Sequence, residues 1–163
     1  MFPTFTIFVP GLPTGQPRIK AASRGKFVTI YTPKKVKNAT TGKYHTHPAE
    51  VWGQAIAEAW KAEAPAMPKI SVPVCLTLCF HMPRPKSHFN SKGDLKATAP
   101  SWYEKKPDAD NLAKCVMDRM STLGVWDDDD QVVILKVSKN YTADYPAGCH
   151  ITLRDAAEFG GVL

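Results

Sequence analysis

The first 49 residues of this 163-residue chain contain no aspartate or glutamate, although eight lysines and arginines lie there. Seven of the fifteen acidic residues lie instead between Asp108 and Asp130. The chain therefore combines a formal net charge of +6 with one concentrated acidic segment. A basic surface favours a polyanionic partner, and an ordinary solvated basic face is the alternative.

Long apolar runs are also absent, since none approaches the roughly 18 residues that a membrane-spanning helix needs. The sequence therefore predicts no membrane span. The N-terminal segment MFPTFTIFVPGLP lacks a basic leader and carries three prolines. It predicts a first strand and turn rather than a signal peptide, and we expect an intracellular, cytoplasmic protein.

The four cysteines form no C-x-x-C pair, and the histidines form no H-x-x-x-H pair. These absences argue against the usual zinc modules, and an intracellular location argues against disulfides. Cys75 and Cys79 lie in the alternating segment VPVCLTLCFHM and would face the same side of a strand. We predict buried thiols that act as small hydrophobes; a zinc site that includes His81 is the alternative.

The chain is long enough for one domain with a real core, and its 44% hydrophobic content indicates a folded protein. Strand-like segments are predicted near residues 4–11, 26–33, 70–82, 131–141 and 148–155, and helices over 48–64 and about 111–122. The first helix would turn Val51, Ile56 and Trp60 towards the core. Pro73 indicates an edge or a bulge near the start of its strand.

This order of elements predicts a single α/β (α+β) domain over residues 1–163, with a mixed sheet of about four main strands and two packed helices. Residues 11–25 and 83–107 are rich in Pro, Gly, Lys or Ser and predict loops, the second of a length that is usually functional or disordered. Basic segments thus extend over about 11–37 and 83–106.

The segment KKPDADNLAKCVMDRM places two aspartates at the start of the second helix. On a helical wheel, Leu112, Cys115, Val116, Met120 and Leu123 form the core stripe. Four polar residues lie on the opposite side: Asp110, Asn111, Lys114 and Asp118. N-capping explains one aspartate at this end but not two, and the wheel provides no role for Arg119.

The second acidic element is WDDDDQVV, which leads into a strand. A solvated turn explains at least two of its aspartates. If this strand packs beside the helix start, Asp128 or Asp129 would meet Asp108 and Asp110. Carboxylates about 4 Å apart repel by roughly 4 kcal/mol per pair at an effective dielectric near 20. A divalent cation would relieve this repulsion, and oxygen ligands select Mg²⁺ or Mn²⁺ rather than zinc.

A calcium-binding EF-hand is the competing metal site, but DADNLAKCVMDR lacks the glycine in mid-loop and the terminal glutamate of that motif. The ordered set KPDADNLAKCVMDRM…GVWDDDDQV resembles the signature of the RusA family of Holliday-junction resolvases. Segments GQPR, YTP and HMPRPKSH are similar to its phage and prophage branch, so the resemblance covers about residues 5–153.

The resemblance implies an intracellular homodimeric endonuclease, bacterial or phage-encoded, that nicks opposed strands of a four-way DNA junction in recombination and repair. It places Mg²⁺, for which Mn²⁺ could substitute, on Asp108, Asp110 and Asp129, with Asp128 as an alternative ligand. It assigns catalysis to these three aspartates and Lys114, within a catalytic core over about residues 105–141. Lys114 as a simple helical ion-pair partner of Asp110 or Asp118 is the alternative.

Phosphate contacts are expected from the two basic segments. The candidate DNA-binding residues are Arg18, Lys20, Lys34, Lys35, Arg84, Lys86, Lys105 and Lys106. Aromatic residues such as Tyr31 and Trp102 could stack on unpaired bases, although packing within the protein is the alternative. Two other functions stay open: a broader nuclease for flaps or branched DNA, and a DNA-binding protein without catalysis.

Overall fold

The computed structural model describes residues 2–142 and 146–160. Each of the eight strands and two α-helices in this part is bounded as follows: β1 (Phe5–Pro10), β2 (Lys20–Arg24), β3 (Phe27–Tyr31), β4 (Lys35–Lys37), β5 (Tyr44–Thr46), α1 (Pro48–Glu63), β6 (Val74–Met82), α2 (Ala109–Thr122), β7 (Val132–Tyr141) and β8 (Gly148–Asp155). Short 3₁₀ helices cover Lys86–His88, Asp129–Gln131 and Ala156–Phe159.

The main sheet has four strands in the order β1-β8-β6-β7. Strands β6 and β7 are parallel, whereas β8 is antiparallel to both of its neighbours. Parallel neighbours require a crossover connection, and here the chain between β6 and β7 contains the long loop and α2. The predicted mixed sheet with two helices is confirmed.

One apolar cluster joins both helices to the sheet. Central strand β6 contributes Val74, Leu76, Leu78 and Phe80, whose side chains are fully buried. Thr77 and Cys79, which alternate with these residues along the strand, are only half-buried. The sheet therefore provides a rigid support for the shorter elements that carry the polar residues.

Helix α1 has the predicted position, and Ile56 and Trp60 are buried as predicted. Val51, expected in the core stripe, is 59% exposed, while its neighbour Trp52 is 2% exposed. Burying the larger indole removes more apolar surface from water, which explains why Trp52 rather than Val51 is buried. The His47 side chain caps the helix by accepting a hydrogen bond from the amide of Ala49.

Residues 11–25 are not a loop throughout, because β2 occupies their end. Strand β3 confirms the strand predicted near residues 26–33, and it pairs with β2 in an antiparallel hairpin. A second small hairpin, β4–β5, follows it. Its three-residue strands show no apolar alternation, so the sequence did not predict them. Both hairpins lie outside the main sheet.

The strand that follows α1 begins later than predicted, at Val74, directly after Pro73. Its register with β7 shifts between Val74 and Cys75, so the predicted irregularity is present. Strand β6 itself lies inside the sheet rather than at its edge. Ile70, placed in this strand by sequence, forms only an isolated bridge with Trp126.

The thiols of Cys75, Cys115 and Cys149 are buried, and that of Cys79 is half-buried, in agreement with the predicted packing role. All four are free. Burial raises the pKa of the Cys115 thiol to about 11 and raises that of Cys149 as well. In the described residues no helix has both the length and the apolar character needed to cross a membrane.

Candidate active site

The N-terminus of α2 presents two aspartates that are free to bind something else. Asp108 is the N-cap residue, yet its side chain makes no capping hydrogen bond. Asp110 lies in the first turn, and in the described part of the chain neither carboxylate makes a hydrogen bond or ion pair. Simple N-capping therefore does not account for this pair. The helix begins at Ala109, two residues before the predicted start.

The backbone that leads into Asp108 is held by Lys139 of β7. Lys139 Nζ donates to the carbonyl oxygens of Lys105 and Pro107, each at 2.8 Å. The Tyr103 hydroxyl donates to the carbonyl of Lys106 at 2.7 Å. Since three successive carbonyl groups are bound in this way, the position of Asp108 is fixed relative to the sheet.

The polar face of α2 is in contact with the segment around Gly15 and Gln16. Gln16 Nε2 donates to Asp118 Oδ2 at 2.6 Å, and Asn111 Nδ2 donates to the Gln16 carbonyl at 3.4 Å. A Cβ at Gly15 would come within 2.6 Å of the Asn111 side chain. Glycine therefore permits this close approach, which brings an acid-free basic segment onto the acidic helix.

Lys114 and Asp118 form an ion pair on the same face, with Nζ 3.6 Å from Oδ1. The helical pairing considered from sequence is thus present. The Lys114 side chain is 65% exposed, so the pair contributes only a few tenths of a kcal/mol. Its ammonium group remains accessible to a ligand at this surface.

The 3₁₀ turn at Asp129–Gln131 carries the second acidic group, and Gln131 holds it. Gln131 Oε1 accepts from the amide of Asp127 at 2.7 Å, while its Nε2 donates to the carbonyl of Ile70 at 3.2 Å. Lys69 forms an ion pair with Asp127. Gln131 thereby joins the aspartate run to the segment that precedes β6. Asp127 pairs with Lys69 rather than with the other site residues.

The carboxyl groups of Asp128 and Asp129 shift each other's pKa in opposite directions. The hydrogen bond from Asp129 to Asp128 lowers the pKa of Asp128, aided by backbone amides of Asp129 and Asp130. The same hydrogen bond raises the pKa of Asp129; burial and the negative charges of Asp128 and Asp118 add to this, and Lys114 opposes it. Two carboxylates held this close titrate as a pair. Asp129 therefore interacts with the polar face of α2 at Lys114 and Asp118.

The donors fit a hard divalent cation, because Asp108, Asp110 and Asp129 offer only oxygen atoms and the first two are uncommitted. Within residues 2–142 and 146–160, no three His, Cys, Asp or Glu side chains form a group that could hold a metal ion. Cys75, Cys79 and His81, considered as a zinc site from sequence, form no such group either. A metal ion on the three aspartates stays a prediction.

Arg119 connects the two helices. Its Nη2 lies 3.8 Å from Glu50 Oε2, and its guanidinium packs on Gly53 of α1, where a Cβ would overlap it. Gln16, Lys34, Glu50, Asp118 and Arg119 line a polar cavity of about 200 Å³ beside this contact. The sequence provided no account of Arg119 because its partners lie on another helix.

The candidate DNA-binding residues differ in their surroundings. Arg84 is engaged within the protein: its Nε donates to the Thr142 carbonyl and its Nη1 to the Pro100 carbonyl, both at 2.8 Å. It therefore holds the 83–107 loop against β7. The other seven, namely Arg18, Lys20, Lys34, Lys35, Lys86, Lys105 and Lys106, are exposed, and their role in DNA binding stays a prediction.

Four residues with a positioning role were missed by the sequence analysis: Gln16, Gln131, Lys139 and Asp118 as a hydrogen-bond acceptor. The segments GQPR and DDDDQV, which belong to the family resemblance, contain the two glutamines. No local pattern identifies Lys139, because its partners lie 32 and 34 residues away along the chain.

A family model described as Endodeoxyribonuclease RusA matches residues 10–154. The chain belongs to this family. The RusA match includes the basic N-terminal hairpins, both helices and the aspartate run, so all the candidate site residues lie within it.

A curated protein of Bacillus subtilis (strain 168), named "Uncharacterized protein YqaN", is similar to part of this RusA-family chain. The two are 40% identical over 83 residues, which is 46% of this chain and 54% of the relative. The match therefore spans about half the length of that relative.

Proposed function

We propose that this protein is a Mg²⁺-dependent endonuclease that resolves four-way DNA junctions by paired nicks, with Mn²⁺ able to substitute. The observation that carries the proposal is the uncommitted pair Asp108 and Asp110 at the N-terminus of α2, with Asp129 acting on the same helix face. Membership of the RusA family supports the nuclease activity.

Asp108, Asp110 and Asp129 would hold the cation, with Asp128 as the alternative to Asp129. When bound, a divalent ion supplies charge that polarises the scissile phosphate and makes water more acidic. The N-terminus of α2 adds positive potential at the same place, because its first amides lack helical partners. The helix N-terminus would thus favour a phosphate group at this site, although the carboxylates themselves repel it.

Lys114 would stabilise negative charge that develops on the phosphate in the transition state. It lies one helical turn beyond Asp110 on the same face, and its exposed ammonium is held 3.6 Å from Asp118. Asp118, fixed by Gln16, would orient this lysine and lose part of its hold when a phosphate binds. The hydrogen bond from Gln16 keeps Asp118 in place during this exchange.

The proposed substrate has two equivalent strands to cut, and a C₂ homodimer would present two such sites in matching orientation. Exposed lysines of the two basic segments would bind the phosphates of the junction arms. A broader nuclease for flaps and branched DNA would use the same site, and the choice of substrate distinguishes the two proposals.

A cleavage assay with a synthetic four-way junction, a flap and a linear duplex tests this proposal. We expect paired nicks in the junction with Mg²⁺ or Mn²⁺, and little turnover with Ca²⁺, whose looser coordination positions the reacting groups poorly. Full activity in excess EDTA would contradict metal dependence, and equal cutting of flaps would favour the broader nuclease.

Asp110→Asn provides the matched variant. Loss of one carboxylate should abolish nicking while leaving junction affinity equal or higher, because the negative charge that repels the phosphates is reduced. A gel-shift titration and a thermal melt measure affinity and folding on the same preparation. Loss of junction binding together with cleavage would show that Asp110 is needed for folding or binding instead.

A further inference from the structure

The hairpin of β2 and β3, with the adjacent Ile19, carries apolar side chains that the proposed chemistry leaves unused; we call residues 19–31 the ribbon. All of its described side chains are exposed. Phe27 is 79% exposed and Ile30 is 70% exposed. Exposed apolar residues that are grouped in this way mark interaction surfaces.

The register of the hairpin separates two faces. Lys20 pairs with Tyr31 and Ala22 pairs with Thr29, while Phe27 is next along on the same side as Thr29 and Tyr31. Because side chains alternate across a strand, this face combines aromatic and basic character. Val28 and Ile30 lie on the opposite, aliphatic face.

Both ends of the ribbon lie beside the acidic helix. Before it, Gln16 donates a 2.6 Å hydrogen bond to Asp118. After it, Lys34 lines the polar cavity together with Asp118 and Arg119. The base of the ribbon is thus held at the polar face of α2, and a molecule bound there can reach the ribbon.

The charge of the ribbon indicates its partner. Lys20 and Lys26 lie in a stretch of 49 residues that contains no acidic side chain. A second ribbon placed against it would bring like charges together, whereas a polyanion would be attracted. Of the macromolecular partners, charge complementarity favours DNA over another copy of this chain.

We propose that the aromatic–basic face of the ribbon recognises the branch point of DNA, with Phe27 and Tyr31 stacked on bases that are exposed where duplex stacking is interrupted. This inference rests on the proposed junction nuclease and names its structure-selective element. Stacking on aromatic rings is tolerant of sequence, since every base has a π-face. Lys20 and Lys26 bind the adjoining phosphates.

The spacing of the rings fits two separate nucleotides. Phe27 and Tyr31 are four residues apart on one strand, which corresponds to about 13 Å. Successive bases along a DNA strand rise by about 3.4 Å, so one nucleotide cannot contact both rings. The ribbon therefore spans several positions at the branch.

The test measures binding rather than cleavage, in full-length protein that carries Asp110→Asn. Fluorescence anisotropy compares a four-way junction, a matched linear duplex and single-stranded DNA, and 2-aminopurine at the branch reports stacking. The variants are Phe27→Leu, Phe27→Trp and Tyr31→Ala. The matched control is Val28→Ala/Ile30→Ala on the aliphatic face, and sedimentation velocity gives the oligomeric state of each variant.

We expect Phe27→Leu and Tyr31→Ala each to weaken junction binding by about tenfold, in the range for loss of one stacked ring. Duplex binding should change by less than about twofold, because paired bases offer no free face. Phe27→Trp keeps a ring and should retain junction affinity. The aliphatic-face control should bind like the parent protein.

The proposal is overturned if Phe27→Leu binds the junction normally, if the Val28→Ala/Ile30→Ala control loses as much affinity, or if Phe27→Leu dissociates a dimer. The last outcome assigns the ribbon to a second copy of the chain. Ring-dependent binding to the junction in a protein whose parent cuts no junction would retain the ribbon proposal and reject the proposed function. If the parent protein cuts junctions but binding does not depend on the rings, the proposed function is retained and the ribbon proposal is rejected.

Discussion

Lys139 Nζ lies 2.8 Å from the carbonyl oxygen of Pro107, the residue immediately before Asp108. Lys139 is on β7 and Asp108 is the N-cap residue of α2, so this contact joins the sheet to the start of the acidic helix. The same ammonium binds the Lys105 carbonyl and lies 5.4 Å from the centre of the Tyr103 ring. Lys139 acts on the site through the backbone and is a positioning residue.

Lys139→Met should lower turnover at saturating junction by about tenfold to a hundredfold, because displacing a reacting group by about 1 Å has effects of that size. It should also reduce the free energy of unfolding by about 1–2 kcal/mol, through the loss of two hydrogen bonds. Junction affinity should stay the same, and the split between turnover and affinity is the readout.

Lys136→Met is the matched control for this experiment. Lys136 lies on the same strand, with its ammonium 4.5 Å from the centre of the Phe159 ring. It makes no hydrogen bond to the segment before Asp108, so turnover should be unchanged. Equal losses in the two variants would mean that a positive charge on β7, rather than the position of Asp108, controls the rate.

Lys114→Ala distinguishes catalysis from helix pairing. If Lys114 stabilises the transition state, turnover falls by about two orders of magnitude or more while the melting temperature barely changes. If it serves only as the partner of Asp118, stability falls by about 0.5 kcal/mol and the rate is retained. Turnover and melting temperature measured on one preparation decide between the two.

Lys106→Ala tests the phosphate contacts beside the site. The side chain is exposed and lies two residues before Asp108. The slope of log K against log[salt] for junction binding should flatten by about 0.9 per contacting subunit, as for one phosphate contact on duplex arms. Lys61→Ala, in the last turn of α1, is the control and should leave the slope unchanged.

The buried Cys115 thiol should resist alkylation. With a pKa raised to about 11 by burial, only about one molecule in a thousand carries the thiolate at pH 8. Iodoacetamide should therefore label Cys115 slowly in the native protein and rapidly in urea, as judged by mass spectrometry of the peptides. Equal labelling rates in both states would contradict the burial.

The raised pKa of Cys115 also makes the free energy of unfolding depend on pH. The folded protein holds this proton more tightly than the unfolded chain, whose thiol titrates near its ordinary value of 9. The contribution of Cys115 is therefore complete below pH 9 and is lost as the pH rises towards 11. Denaturant titrations should show that Cys115→Ala removes this part of the pH dependence.

The sequence by itself determined the elements whose burial is periodic. The 3.6-residue stripe of α2 and the apolar run of β6 report which faces are covered, because burial repeats along a helix or strand. It also placed Asp108 and Asp110 at the start of a helix, since proline, aspartate and the following stripe are adjacent in the chain.

The tertiary structure alone decided how those elements meet. Val51 was expected in the core, but packing in the folded domain buries Trp52 instead. Strand β2 has no apolar alternation of its own and forms because β3 provides its partner. Periodicity in one segment contains no information about such partners.

The candidate site shows the same difference between what local sequence and what tertiary packing determine. The aspartates could be identified from their local order, whereas the contacts that hold them could not. Gln16 reaches Asp118 across 102 residues, and Gln131 reaches Ile70 across 61. These pairs depend on the strand order β1-β8-β6-β7, which brings β7 beside β6 and sets α2 against β7. Long-range contacts of this kind follow from the packing of the whole domain, and a local pattern of residues cannot specify them.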